Sequence, residues 1–274
     1  MRALNFSLDR VQQLPFSLRL LKETHSILLE DVRGHHRNRG EFRSTQNWIG
    51  RTGTSIEDAE FVPPPAHMVP VALSDLEKYY HEGREHPLTK CALLHAQFET
   101  IHPFLDGNGR IGRLLITFFL REQQVLIRPL LYLSYYFKKH RQQYYQSLMR
   151  IRTDGDWEGW LEFFLTGIIE VSRQAISTAK RLIDLERADS LRIQSLSESP
   201  NMVRLHRYIS ANPVFTVNDV ARALDVTKPS ANKWVNALEG QGIVAEITGR
   251  QRGRVWGYRK LFDILEEGTT EPAQ

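Results

Sequence analysis

The chemistry-bearing residues of this 274-residue chain crowd into one stretch, His102 to Arg113, reading HPFLDGNGRIGR. Gly107 and Gly109 flank Asn108, so the backbone there can turn sharply and expose successive N–H groups. A helix that starts at this turn adds unpaired amide donors and the positive end of its dipole, which together make an anion pocket. Arg110 and Arg113 are three residues apart, hence on one helical face, and both can clamp a polyphosphate. Asp106 beside an anion would be repelled unless a Mg²⁺ ion lay between the two. His102 has an ordinary pKa near neutrality and suits a general base. A base, a metal ligand, an amide nest and two guanidinium groups are what transfer of a phosphorus-centred group to a hydroxyl requires. The plainer alternative is a corner between two helices, with Asn108 as an N-cap and two solvated arginines. Four functional types at fixed offsets within twelve residues argue against it.

The elements that must carry this loop read as helices. Leu88 to Ile101 places Leu88, Ala92, Leu93, His95, Ala96 and Thr100 on neighbouring faces. A second helix begins near Gly109 and carries Ile111, Leu114, Leu115, Phe118, Phe119 and Leu120. Upstream, Leu14 to Val32 has helical spacing and opens with Pro15, before GHHRNRG at 34–40 breaks it. The stretch Glu41 to Pro65 reads as an irregular arm, a short hairpin at most, because its proline run cannot sit in a central strand. Ser74 is expected to cap a helix through about Glu82. Further helices are expected over Tyr135 to Arg150 and over Trp157 to about Leu185. The charged run Lys180 to Arg192 reads as a solvated connecting helix, and Ser195 to Pro200 as a boundary. The expected fold class is mainly α, with a small α+β module at the end.

Composition bounds the reading. With 41% hydrophobic and 25% charged residues the chain is ordinary globular material, not a disordered, collagenous or rod-like one. The apolar run Leu114 to Leu120 falls far short of the roughly 20 residues that span a bilayer. The N-terminal stretch has no secretory pattern, and a lone Cys91 forms no internal disulfide, so a soluble, cytoplasmic protein without membrane partners is expected. No paired Cys or His spacing suggests zinc: His35 and His36 sit in a polar turn, and His95 reads as a packed core residue. The formal charge is +4, yet between Asn201 and Lys260 ten basic residues meet only four acids. That imbalance marks a separate basic module. Within it, Phe215 to Val226 and Thr227 to Leu238 read as two helices joined by a tight turn, with Thr216 and Asp219 as a capping box. The second presents Lys228, Ser230, Asn232, Lys233 and Asn236, and a hairpin with the tip GRQRGR (249–254) follows.

HPFLDGNGRIGR matches the Fic-domain signature His-Pro-Phe-x-(Asp/Glu)-Gly-Asn-Gly-Arg-x-x-Arg in full. QNWIG (46–50) and FVPPP (61–65) upstream, and LYLSYYFKKHRQQYY (131–145) downstream, extend the resemblance, so the chain resembles the bacterial multi-domain Fic type. The resemblance implies a helical Fic bundle with a small β-hairpin flap, then a winged helix-turn-helix domain. The divisions it suggests are 1–87 (N-terminal helices and flap arm), 88–185 (catalytic core), 186–200 (linker), 201–262 (winged helix) and 263–274 (tail). It further implies a protein adenylyltransferase that moves AMP from ATP to a Ser, Thr or Tyr hydroxyl of a target protein, releasing pyrophosphate. Carried over by position, His102 resembles the base and Asp106 the Mg²⁺ ligand. Gly107, Asn108 and Gly109 resemble the α-phosphate nest, with the Asn108 amide assisting. Arg110 to Arg113, with Ile111 and Gly112 between, resemble the β- and γ-phosphate segment. Tyr135 and Tyr136 lie where the family lines a base pocket, Phe104 is expected to anchor the loop in the core, and the Arg51 to Pro65 arm resembles the flap that holds a target segment by strand-like pairing. The Ser-x-x-x-Glu of Ser26 to Glu30 ends in Asp31 where the family's inhibitory motif has Gly or Asn, and is read as coincidental. Transfer of UMP, phosphate or phosphocholine, or nucleotide sensing by a DNA-binding regulator, are the alternatives, and DNA and a second copy of the chain are further possible partners.

Overall fold

The computed structural model describes residues 15–30, 38–51, 53, 55–126, 133–196 and 199–267, together with Ala3, Phe6 and Arg10. Asp31, His35, His36 and the tail beyond Glu267 lie outside the described residues. Two compact units divide the chain, Met1–Ser172 and Arg173–Gln274.

In the first unit, α1 (Leu18–Leu28) is capped by Ser17, whose side chain accepts from the Leu20 amide. A 3₁₀ turn at Ala66–Met68 leads into α2 (Val69–Glu82). That helix starts five residues before Ser74, correcting the expected cap. Pro70 in its first turn needs no amide donor, and Val69 and Leu73 extend the buried face through Leu76 to Tyr80. Next come α3 (Pro87–Ile101) and α4 (Asn108–Glu122), packed on each other, with α2 and α6 (Arg141–Asp154) also against α3. Buried on almost every side, α3 is the central helix of the unit.

The single helix expected over 135–150 is two, α5 (Leu133–Lys139) and α6, separated at His140. Between them and α7 (Trp157–Leu196) lies an aromatic core of Phe137, Tyr144, Trp160, Phe163 and Phe164 around His95. The Trp160 indole donates to the Ala92 carbonyl of α3 at 2.9 Å. The arm over 41–65 is irregular except for one antiparallel bridge, in which Ile49 and Phe61 exchange both backbone hydrogen bonds at 2.8 and 3.1 Å.

In the second unit, the last turns of α7 precede α8 (Pro200–Ala211), β1 (Val214–Phe215), α9 (Val217–Leu224), α10 (Lys228–Gly240), β2 (Ala245–Glu246), β3 (Trp256–Gly257) and α11 (Arg259–Glu266). The antiparallel sheet has the order β1-β3-β2, with Phe215 and Glu246 both opposite Trp256. Thr216 and Asp219 form the expected capping box of α9, and Thr227 caps α10. The charged run 180–192 is only partly solvated. Asp189 is fully buried and accepts from the Tyr258 hydroxyl at 2.7 Å, and Ile193 lies in the core with Met202, Leu205, Val235 and Trp256. Sequence charge misleads here because one face of a helix can be packed while its other faces carry the ions. Among the described residues no helix is long and apolar enough to cross a membrane.

Candidate active site

The loop 102–107 joins the two helices that pack most closely, so its ends are held on both sides. α3 stops at His102 because that residue turns left-handed (φ 49°, ψ 60°). α4 starts at Gly107, also left-handed (φ 80°), where a side chain would be strained. Gly107 caps α4 with its backbone alone, and among the described residues no side chain makes a capping hydrogen bond to this helix. The Arg110 and Ile111 amides bond the Gly107 carbonyl, whereas the Asn108 and Gly109 amides find no acceptor among the described residues. Amides left in this way at a helix N-terminus can receive an anion.

The side chains of the loop divide into braces and free groups. Asn108, buried to 2%, accepts from the Phe104 amide at 2.8 Å and donates to the Phe104 carbonyl at 2.7 Å. One N–H of its amide and its carbonyl oxygen are thus bound to the loop's own backbone. Phe104 is fully buried, as expected of an anchor. Ile111 is equally buried, so its side chain belongs to the core and only its backbone faces the loop. Gly112 faces α3, where a Cβ would lie 3.2 Å from both His95 Cε1 and Phe98 Cδ1 and closer still to Glu99 Oε1. Its lack of a side chain lets the two helices approach. Asp106 accepts from the Gly107 amide at 2.6 Å and lies 3.5 Å from Arg110. Arg113 folds back toward Gly109, where its Nη1 would be 3.2 Å from a Cβ.

Three residues that no local motif announces hold this geometry. His25 of α1 is fully buried and stacks on Phe104 with centroids 3.8 Å apart. Its Nδ1 accepts from the Gly40 amide at 2.9 Å, which leaves Nε2 to donate to the Asp106 carbonyl at 2.9 Å. His95 uses the same logic in α3. Nδ1–H donates to the Gly112 carbonyl at 3.0 Å, so Nε2 accepts from the Tyr144 hydroxyl at 2.9 Å. Burial pushes its pKa down to about 3 and keeps it neutral. Glu99 is the third. Burial raises its carboxyl to about 7, with Arg113 and Arg152 pulling the other way, and its Oε1 has no hydrogen-bond partner.

His102 itself is pushed down to about 4, chiefly by burial and further by the positive charges of Arg152 and Arg43. The Glu99 carbonyl opposes this without a well-formed hydrogen bond to the buried Nδ1. At neutral pH the ring is therefore uncharged.

The Fic/DOC family model matches residues 15–120, the span that builds this loop and its braces. The chain carries a Fic domain. The protein adenylyltransferase Fic of Drosophila grimshawi is 30% identical over 171 residues, covering 60% of this chain and 30% of that protein. A probable protein adenylyltransferase of Aquifex aeolicus is 38% identical over 72 residues, 26% of this chain and 22% of its own. The chain thus spans about a third or less of these relatives' length. In fold it is similar to a Fic family protein from Desulfovibrio desulfuricans G20 (TM-score 0.57, 23% identity, all of this chain and 75% of that one). It is also similar to a Fic domain containing signaling protein from Bacteroides thetaiotaomicron (TM-score 0.51, 22% identity, 65% of this chain and 71% of that one).

Beyond the matched span, the expected base-pocket residues Tyr135 and Tyr136 differ in burial. Tyr136 is buried to 4%, its ring 5.2 Å from Phe163 and 4.5 Å from His140. It leans on α7 at Gly167, where a Cβ would meet Tyr136 Cε1 at 2.7 Å. The ring packs on α7 and at the same time lines a cavity of about 850 Å³ with His140, Gln143 and Phe163, whereas Tyr135 is half-exposed. The arm presents Trp48 and Val62 to solvent on either side of the Ile49–Phe61 bridge, so apolar side chains are available beside a short strand-like edge.

Proposed function

We propose that this Fic domain is a protein adenylyltransferase. The observation that carries the reading is a neutral, left-handed His102 beside an uncapped helix N-terminus flanked by Arg110 and Arg113. ATP lies with its phosphates on the Asn108 and Gly109 amides, and the two arginines balance the β- and γ-phosphate charge. Asp106 fits a Mg²⁺ ligand: it is a part-exposed carboxylate at the rim of the anion site, and Mg²⁺ takes one or two carboxylates plus phosphate oxygens. When bound, the ion neutralises charge on the leaving pyrophosphate. An extended target segment pairs along the arm and brings its hydroxyl to His102. The imidazole accepts the hydroxyl proton as the oxygen bonds to the α-phosphorus. The bond from that phosphorus to the bridging oxygen breaks, and pyrophosphate departs with the pair of electrons.

Incubation with α-labelled ATP, Mg²⁺ and cell lysate tests this. Wild type should label a protein band and His102→Ala should not, and equal labelling by both would overturn it. γ-Labelled ATP and α-labelled UTP separate phosphate and UMP transfer from AMP transfer.

For the second unit we propose a winged-helix DNA contact. Its support is that Lys228, Asn232, Lys233 and Asn236 all sit on exposed positions of α10, and Arg250, Arg252 and Arg254 on the exposed hairpin tip. Duplex DNA should be retained at low salt, and Lys228→Ala with Lys233→Ala should weaken it and flatten the salt slope by about two charges. No retention at about 50 mM salt would remove the reading.

A further inference from the structure

A helix ends with carbonyls that have no partner inside it, and α3 ends at the residue read here as the base. Those carbonyls are collected by one side chain from far upstream. Arg43, 3% exposed, donates through Nε to the His102 carbonyl at 2.9 Å and through Nη2 to the Ile101 carbonyl at 3.3 Å. Its backbone amide donates to the Pro103 carbonyl at 2.8 Å. The same guanidinium reaches the arm at both ends, through Nη2 to the Pro64 carbonyl and through Nη1 to the Thr45 carbonyl at 3.4 Å. These two residues bracket the Ile49–Phe61 bridge.

Burying a cation is costly unless something balances it. Among the described residues no carboxylate lies within ion-pair distance of Arg43, so its counter-charge is the negative end of α3. The left-handed turn at His102 is unfavourable for a residue with a Cβ and persists only where its surroundings hold it. A planar fork with five donors can bind four carbonyls on two segments together, which an ammonium cannot. The other flank of the α3 terminus has a second such clasp. Arg152 donates to the Glu99 carbonyl and to Thr100 Oγ1, both at 3.2 Å, while its guanidinium carbon lies 3.5 Å from the centre of the Phe61 ring.

We propose that Arg43 is a positioning residue that joins the arm to His102, so that the arm's seating and the orientation of the base are set together. The proposal rests on the reading of His102 as the base and of the arm as the acceptor's docking edge. Arg43 itself touches neither nucleotide nor acceptor. Acceptor docking is in this way linked to base alignment: an arm displaced from its seat releases the carbonyls of Ile101 and His102 as well.

The test compares wild type with Arg43→Met and Arg43→Lys in the full chain. Amide hydrogen exchange at Ile49 and Phe61, and the ring signals of His102 by NMR, are read without any transfer reaction. In Arg43→Met the two arm amides should exchange about tenfold faster or more. The His102 ring signals should shift, amides within α3 and α4 should stay protected, and ATP affinity should stay within about twofold. With an acceptor in hand, kcat should fall about 100-fold, as for a base misplaced by about 1 Å, with little change in KM for ATP. Arg43→Lys should give the same pattern in weaker form, and it decides the matter if the Met variant does not fold. Wild-type exchange at Ile49 and Phe61, or faster exchange spread through the whole helical unit, overturns the proposal. If wild type transfers no AMP while the exchange and ring signals respond as expected, the functional reading fails and the coupling stands.

Discussion

At the scale of single residues, the environment of His102 decides when it can work. Its pKa lies near 4, below the usual 6.5, because burial and two guanidinium groups disfavour the imidazolium form. The free base is then present from neutral pH down to about 5. We expect AMP transfer to decline only as pH falls toward about 4, which kcat/KM measured at limiting ATP would check; a midpoint near 6.5 would contradict it. Asn108 makes a second residue-scale case. Asn108→Ala would leave the buried amide and carbonyl of Phe104 without partners, at roughly 1–3 kcal/mol each. Urea unfolding should show that loss, and calorimetry should show weaker ATP binding as the nest loosens.

At the scale of elements, the site is the contact between α3 and α4. Gly112 lets the helices approach until Glu99, His95 and Phe98 fill the space a side chain would need. Gly112→Ala should therefore cost about 1–3 kcal/mol by overpacking, more than the helix-propensity gain of roughly 1 kcal/mol from replacing glycine. Urea midpoints measure it, and a stabilised variant would show that α4 can slide freely on α3. The hydrogen bond from His95 to the Gly112 carbonyl ties the first turn of α4 to the central helix and, through Tyr144, to α6. α1 adds His25 from the other side, so the loop is braced by three helices that no stretch of neighbouring residues brings together.

At the scale of the whole molecule, the Fic domain carries several buried ionisable groups whose protonation differs from that of the unfolded chain. His25, His95 and His102 all have lowered pKa values, with burial the largest cause in each. The unfolded chain takes up protons at these sites as pH falls below about 6.5, while the folded domain resists until about 4 at His102 and about 3 at His95. The histidine contribution to stability should thus be full above pH 6.5 and drop steadily through that window. Glu99 runs the other way, since its carboxyl is raised to about 7 and the folded form keeps a proton that the unfolded form loses near 4.5. Glu99→Gln should raise the urea midpoint at pH 8 more than at pH 4. An equal effect at both would mean that the carboxyl titrates normally.

The sequence by itself determined which groups the loop brings together. The offsets within 102–113 place an imidazole, a carboxylate, a flexible turn and two guanidinium groups within one turn and the helix after it, and such local geometry follows from helix periodicity alone. It also announced the two main helices and the capping box at Thr216. Only the tertiary structure decided where the residues of that segment go: Asn108 turned inward onto Phe104, Ile111 into the core and Gly112 against α3. It alone revealed His25 and Arg43, which act on the loop across 81 and 59 residues of chain. The physical reason is range. Periodicity and capping speak for contacts a few residues apart, while burial and the partners of a buried polar atom are fixed by segments that meet only when the core closes.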